Sequence, residues 1–367
     1  MLVNFENGVL GFVAPTDWLD VGQDVTRPND PIAALFGDER TDNLVARWQS
    51  IANEYQVPMM AQFHAFDTES QTTFRAPVDT HNVEKGLIKV KINQSERMRQ
   101  LTRNGVQGNE QLYDYVLGDG IRLADQVVTR SLVAKNELLA TGKVTIKENN
   151  LDTTVEYGVS EEQTGFSIDL SADADIPAAI QAVVDAALAN GVILTGVITS
   201  NKVLSKIRAN EAVQKAINGV QGVGALVRRA ALEEYLSSEY GINTVITNDY
   251  MYGATASMGA DGRPVVEQKR YYPDNKITFF AANPAGRIGT GLWGDPPAAD
   301  LPQFDVASGE QQNFVYVDQW KEKDPDVLWT RASALFMPVL HNPGSLWIAT
   351  AEEDAGGDDV GGEEQGE

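Results

Sequence analysis

Apolar positions change period along this chain, and each change marks an element. Between residues 59 and 93 the period is two. Met59, Ala61, Phe63 and Ala65 alternate with Gln62, His64 and Phe66, and Ile88, Val90 and Ile92 alternate with Leu87, Lys89 and Lys91. Alternation sends successive side chains to opposite faces, so both runs are expected to be strands. The segment between them, DTESQTTFRAPVDTHNVEKG, is polar. So long a connection is uncommon inside a compact domain and usually serves an interaction. Residues 59–95 therefore read as an extended β-loop.

The period then becomes helical. Leu117, Ile121, Ala124, Val128, Leu132 and Leu139 share one stripe of a helix over 109–141, with Arg122, Asp125, Thr129 and Asn136 opposite. Gly142 stands where a left-handed residue ends a helix. Asn149-Asn150 supply turn chemistry for a hairpin between Lys143–Glu148 and Thr153–Gly158. From Asp175, an N-cap with Pro177 in the first turn, helices and strands alternate as far as Ala281. Phe314–Val317, Ala332–Val339 and Ser345–Ile348 read as closing strands. Residues 1–58 carry Pro15, Pro28, Pro31 and Pro58, and Leu44, Trp48, Ile51 and Tyr55 predict a short helix within an extended arm.

Composition narrows the chemistry. The 367 residues contain no Cys and three His, which excludes disulfide scaffolds, thiol catalysis and cysteine-ligated metals, and leaves little for histidine sites. Lys and Arg total 29 against 52 Asp and Glu, a net of −23, which argues against a surface that grips phosphate backbones. Eight of those acids crowd into Glu352–Glu367, where glycines separate like charges and no core can form. The start lacks the basic residues of a signal or transit peptide, and Ala186–Asn201 is too short to span a bilayer. A soluble protein of a cytoplasm is expected, without a membrane segment.

Candidate motifs are weak. Gly289-Thr-Gly291-Leu-Trp-Gly294 has dinucleotide-loop spacing, but Asp295-Pro296-Pro297 forbids the helix that would meet a pyrophosphate, so a glycine-rich loop is expected. Asp169, Ser171, Asp173 and Asp175 begin like a calcium loop, yet Ala174 and Ile180 occupy its Gly and Glu positions. His341 sits in a turn, and His64 and His81 are expected in solvent. Neither cofactor, metal nor catalytic residue is expected, and the chain does not read as an enzyme. Arms and loops that bury little on their own subunit point to a protein covered by its own copies.

The order of segments completes the reading. LIKVKINQSERMRQL leads to a long helix ending LLATGKVTI and a hairpin closing in VEYG. A block opening DIPAAI follows, then YYPDNKITFF, GRIGTGLWGDPPA and DPDVLWTRASALFMPVLHNPGSLWIA. This resembles the lambda-type phage major capsid proteins, the capsid E family with the Hong Kong ninety-seven capsid fold, over roughly residues 55–350. The resemblance implies an α+β chain with an N-terminal arm (1–58), an extension loop (59–95) and a peripheral domain (96–175 and 303–350) with spine helix 109–141. It further implies an axial α/β domain (176–302) and an acidic tail (351–367). Subunits would form pentamers and hexamers of an icosahedral shell around double-stranded DNA, bound without sequence specificity. The shell would be assembled in the host cytoplasm with a separate scaffolding protein, a portal and a possible decoration protein. Expected assembly contacts are Phe66, Phe74, Arg75 and Lys89 near the loop, and Arg287 and Trp293 in the Pro284–Asp295 segment. Two alternatives remain: the shell of a cellular nanocompartment packaging protein cargo, and a soluble nucleotide-dependent enzyme using the Gly289–Gly294 loop.

Overall fold

A helix of 34 residues, Gly108–Thr141, organises the fold. Gly142 ends it at φ 71°, a backbone conformation that glycine adopts without strain. The computed structural model describes residues 31–51, 60–67, 69–70, 72, 75, 78–94, 108–258, 264–300, 306–312 and 314–352. Of its apolar stripe, Ala124, Val128, Leu132 and Leu139 are buried and Ile121 is partly buried, in line with the spacing. Its polar side is not uniformly solvated: Ser131, Lys135 and Asn136 are also buried. Asn136 was expected on the wet face. A second layer packs there instead, and the Asn248 amide donates to Asn136 Oδ1 at 2.9 Å.

Against this helix lies a mixed sheet, six-stranded among the described residues. Its order is Phe36–Arg40, Gly289–Gly294, Asp326–Leu340, Val315–Lys323, Val306–Gln312. Gly86–Gln94 pairs with residues 328–336 of the long Asp326–Leu340 strand, on the edge opposite Val315–Lys323. Ile88, Val90 and Ile92 point into the same core as Leu132, Ala332, Ala334 and Val317. The hairpin Lys143–Glu148/Leu151–Glu156 follows the helix, with Asn149 and Asn150 at φ 48° and 66°, the left-handed pair that a two-residue turn requires.

The second sheet runs Phe166–Asp169, Leu346–Glu352, Lys276–Phe280, Gly196–Thr199, Thr244–Thr247. It is a party wall between two cores, and strand alternation divides its side chains between them. Leu346, Ile348, Phe280 and Ile198 join the core of the long helix. Trp347, Ala349, Ile277, Phe279 and Val197 join a core capped by the helices Ile176–Ala189, Asn201–Ala209, Glu211–Asn218 and Arg229–Tyr240. Asp175, Ser200 and Asn210 cap three of those helices by accepting N–H groups from Ala178, Val203 and Val213. Buried hydrogen bonds fasten the long helix to the wall. Thr278 Oγ1 donates to the Leu139 carbonyl at 2.8 Å, within 2.8 Å of the Tyr272 hydroxyl. A buried polar group without a partner costs on the order of 1–3 kcal/mol, so these pairs also fix the register.

Three expectations change. Leu44–Tyr55 does not open a helix: Val45–Ile51 is a strand, paired antiparallel with Val78–Glu84. Its reason is Trp48, whose ring is stacked against His81 and Tyr157 at 5.2 Å each. His81 is accordingly half-buried, not in solvent. Of the run near Met59–Phe66, the described residues 60–66 form no strand and are exposed, and the strand sits at Val78–Glu84 instead. Residues 1–30 and 353–367 lie outside the described residues.

Candidate assembly surfaces

Gly289–Gly294 is a strand inside the larger sheet, neither a nucleotide loop nor a surface loop. It runs parallel to Phe36–Arg40 and antiparallel to the Asp326–Leu340 strand. The glycines make room for neighbours. A Cβ on Gly289 would sit 2.5 Å from both the Phe36 ring and the Val339 carbonyl. On Gly291 it would come within 2.9 Å of the Lys135 side chain, and on Gly294 within 2.9 Å of Lys85 Nζ. Backbone held in a ladder between two strands cannot cradle a phosphate, which removes the nucleotide-loop reading.

The space left by the glycines holds a buried charge network. Lys135 is 2% exposed and reaches Asp38 Oδ1 at 2.8 Å, and Trp293 Nε1 donates to the same oxygen at 2.8 Å. Lys85 Nζ donates to the Thr41 and Trp293 carbonyls at 2.7 and 3.0 Å. Burial lowers the Lys85 pKa, with Asp295 and Asp42 opposing. Arg40 pairs with Asp295. Together these bonds bolt the Phe36–Arg40 strand to the body. Trp293 is 2% exposed, stacked on Phe314 and packed against the tilted Phe336 ring, so the expected surface contact is a core residue. On the same sheet Asp318 is buried and accepts from Arg331 Nε at 2.9 Å. Burial raises the Asp318 pKa against the pull of Arg331.

Phe66, Arg75, Lys89 and Arg287 are exposed, and Phe74 lies outside the described residues. These residues do not form one patch. Phe66 and Arg75 lie in the loop, Lys89 on the Gly86–Gln94 strand, and Arg287 in a turn held by its N–H on Asn283 Oδ1 at 2.9 Å. The exposed apolar residues that the sequence reading passed over are more telling. Met60 and Phe63 join Phe66, and a second group, Val220, Val223 and Leu226, sits beyond the Glu211–Asn218 helix. Its signal was available: no charge interrupts Ala216–Val227. A third group, Met251, Val265 and Val266, lies on the hairpin Met251–Met258/Pro264–Arg270.

The remaining polar motifs have local duties. Asp169 accepts the Ser171 N–H and hydroxyl, both at 2.8 Å, which holds its pKa down. His341 Nε2 lies 2.7 Å from Thr290 Oγ1, and burial lowers its pKa. Among the described residues no cluster of His, Asp and Glu is arranged to hold a metal, and no helix is long and apolar enough to cross a membrane.

The subunit thus combines two buried cores with several groups of exposed large apolar residues. The phage major capsid protein E family matches residues 52–351. The chain belongs to that family. Among solved structures, the capsid subunit is similar to a protein of an E. coli CFT073 prophage assigned as its capsid protein, with 12% identity and TM-score 0.54, covering 93% of this chain and 99% of that one. It is also similar to the cyanophage A-1(L) capsid (13% identity, TM-score 0.46, 94% and 96% covered). A looser likeness reaches the SrpI encapsulin of Synechococcus elongatus PCC 7942 (8% identity, TM-score 0.41, 89% and 88% covered). No curated protein matches. The fold is that of the Hong Kong ninety-seven type capsid proteins.

Proposed function

We propose that this capsid subunit forms the pentamers and hexamers of an icosahedral shell enclosing the double-stranded DNA genome of a tailed virus. The family match over residues 52–351 carries this reading. The bare apolar segments support it, since an exposed apolar patch on a subunit marks a surface to be covered. The role is structural, and the protein's place is the virion.

Residues 59–95 act as the extension loop. The long helix, its hairpin and the larger sheet make the peripheral domain, and the helices packed on the party wall make the axial domain. Within Pro284–Asp295, expected to supply assembly contacts, the Gly289–Gly294 strand is buried in the larger sheet, so Val220, Val223 and Leu226 are the better axial surface. Assembly takes place in the host cytoplasm with a separate scaffolding protein, a portal and a decoration protein as partners. With 29 basic against 52 acidic residues, the shell confines DNA by geometry and repels it on contact.

Electron microscopy of the subunit co-expressed with the scaffold of its phage tests the proposal. Closed shells are expected. Monomers under every condition would overturn it, and shells filled with an enzyme in place of DNA would favour the nanocompartment.

A further inference from the structure

A groove opens where the Gly86–Gln94 strand, the long helix and the hairpin that follows it meet. Its volume is about 410 Å³, within the range of small-molecule sites, about 300–1,000 Å³. Ile88, Ala134, Val144, Ile146, Phe336 and Met337 make an apolar floor. Small residues at Gly86 and Ala134 leave space that longer side chains would fill. Arg130 and Ala134 stand one turn apart on the same side of the long helix, so a charge and the floor lie next to each other. Leu87 and Leu151, both exposed, stand at the mouth.

The polar members of the lining are Lys89, Arg130, Glu148 and Asn149. Lys89, Glu148 and Asn149 are exposed and Arg130 is half-buried, so charge lies toward solvent and the floor stays apolar. Arg130 Nε meets Glu148 Oε1 at 3.2 Å, which uses one of five guanidinium donors and the local carboxylate. Lys89 then gives the mouth an excess positive charge, on a chain of net −23. An apolar floor under a cationic mouth selects a molecule of complementary build, with a hydrocarbon body and an anionic head. Among the described residues Gly86–Gln94 pairs with one strand only, so its second edge also offers main-chain N–H groups to such a head. A further protein strand could add at the same edge, and that rival occupant has to be separated by experiment.

We infer that this groove binds a small amphipathic anion, of the class of a medium-chain fatty carboxylate, with its chain on the apolar floor and its carboxylate beside Lys89 and Arg130. The hydrocarbon supplies most of the affinity, about 0.8 kcal/mol or about fourfold for each methylene buried. The charge-assisted hydrogen bonds set the orientation and the preference for an anion. A bound chain would tie the Gly86–Gln94 strand to the helix and the hairpin, and so raise the melting temperature of the subunit. The site lies within one subunit, so it stands or falls apart from the shell reading.

Calorimetric titration of the full-length subunit with sodium octanoate, decanoate and dodecanoate, each kept below its micelle concentration, tests the site. A single saturable site is expected, tightening about tenfold or more with each added pair of methylenes. Lys89→Gln with Arg130→Gln should weaken decanoate about tenfold and leave decanol, the same chain without charge, unchanged. Ile146→Trp, which fills the groove from a half-buried position, should abolish binding of both. If circular dichroism shows that variant misfolded, Leu151→Asp at the exposed mouth takes its place and should weaken decanoate by about tenfold. No saturable site, or an affinity untouched by the groove variants, would overturn the inference. So would closed shells that bind none while free subunits do, because a protein segment would then hold the groove.

Discussion

Gly289–Gly294 and Met60–Phe66 are short segments whose surroundings invert what their residues suggest. The first reads as a glycine-rich loop and lies in the interior of a sheet. The second reads as a strand rich in large apolar groups and lies bare. In the first, missing side chains are filled by partners on the same subunit: the Phe36 ring, Lys135 and Lys85. In the second, the large side chains of Met60, Phe63 and Phe66 are present and stand exposed. Burial is thus a property of what packs against a segment, not of the residue types within it.

The sharpest way to break this contrast is to empty the interior. Trp293→Ala should destabilise the subunit by about 3–5 kcal/mol, as large core truncations do, and strip Asp38 of a donor. Chemical denaturation reads the loss, and a change under 1 kcal/mol would put Trp293 back on a surface. Gly289→Ala should cost about 1–3 kcal/mol by overpacking, because the Val339 carbonyl cannot move as a side chain would. A tolerated Ala, seen as an unchanged melting temperature, would mean the strand is loosely seated.

Asp119 offers a smaller effect of opposite sign. It is 3% exposed on the long helix, and its Oδ2 has no partner among the described residues. Burial raises its pKa above the ordinary carboxylate value, with Arg122 opposing. The native state therefore binds this proton more tightly than the unfolded chain, and stability falls as pH rises through the interval between the unfolded and the raised value. Asp119→Asn should stabilise the subunit at pH 7, with a gain that shrinks as the pH is lowered toward about 4. Denaturation midpoints along a pH series check this; a gain that grows toward acid would reverse the assignment.

At the bare segment the subunit should hardly respond. Phe63→Ser with Phe66→Ser should leave subunit stability within about 0.5 kcal/mol, the usual range for surface changes, while shell closure is lost. Normal shells from this variant would deny the segment any part in assembly. Removing residues 353–367 should shift the melting temperature least of all, since a chain of acids and glycines has little apolar area to bury.

Much of this was legible locally. The Leu117–Leu139 stripe, the Gly142 stop, the Asn149-Asn150 turn and the Asp175 cap each rest on interactions a few residues apart. Of the residues expected at assembly contacts, Phe66, Arg75, Lys89 and Arg287 are exposed, whereas Trp293 is buried in the subunit. Lys135 and Asp38, 97 residues apart, gave no signal of their contact, because each alone looks like a solvated charge.

The sequence by itself determined the long helix, the hairpin, the capped helices and, through the order of its segments, the capsid family. These depend on periodicity and turn chemistry that any window of the chain displays. Only the tertiary structure decided that three glycines serve as seats for Phe36, Lys135 and Lys85, that Trp48 belongs to a strand, and that Met60, Phe63 and Phe66 find no cover at home. Those outcomes depend on close packing between residues far apart in the chain, and a period in the sequence carries no record of what will stand opposite.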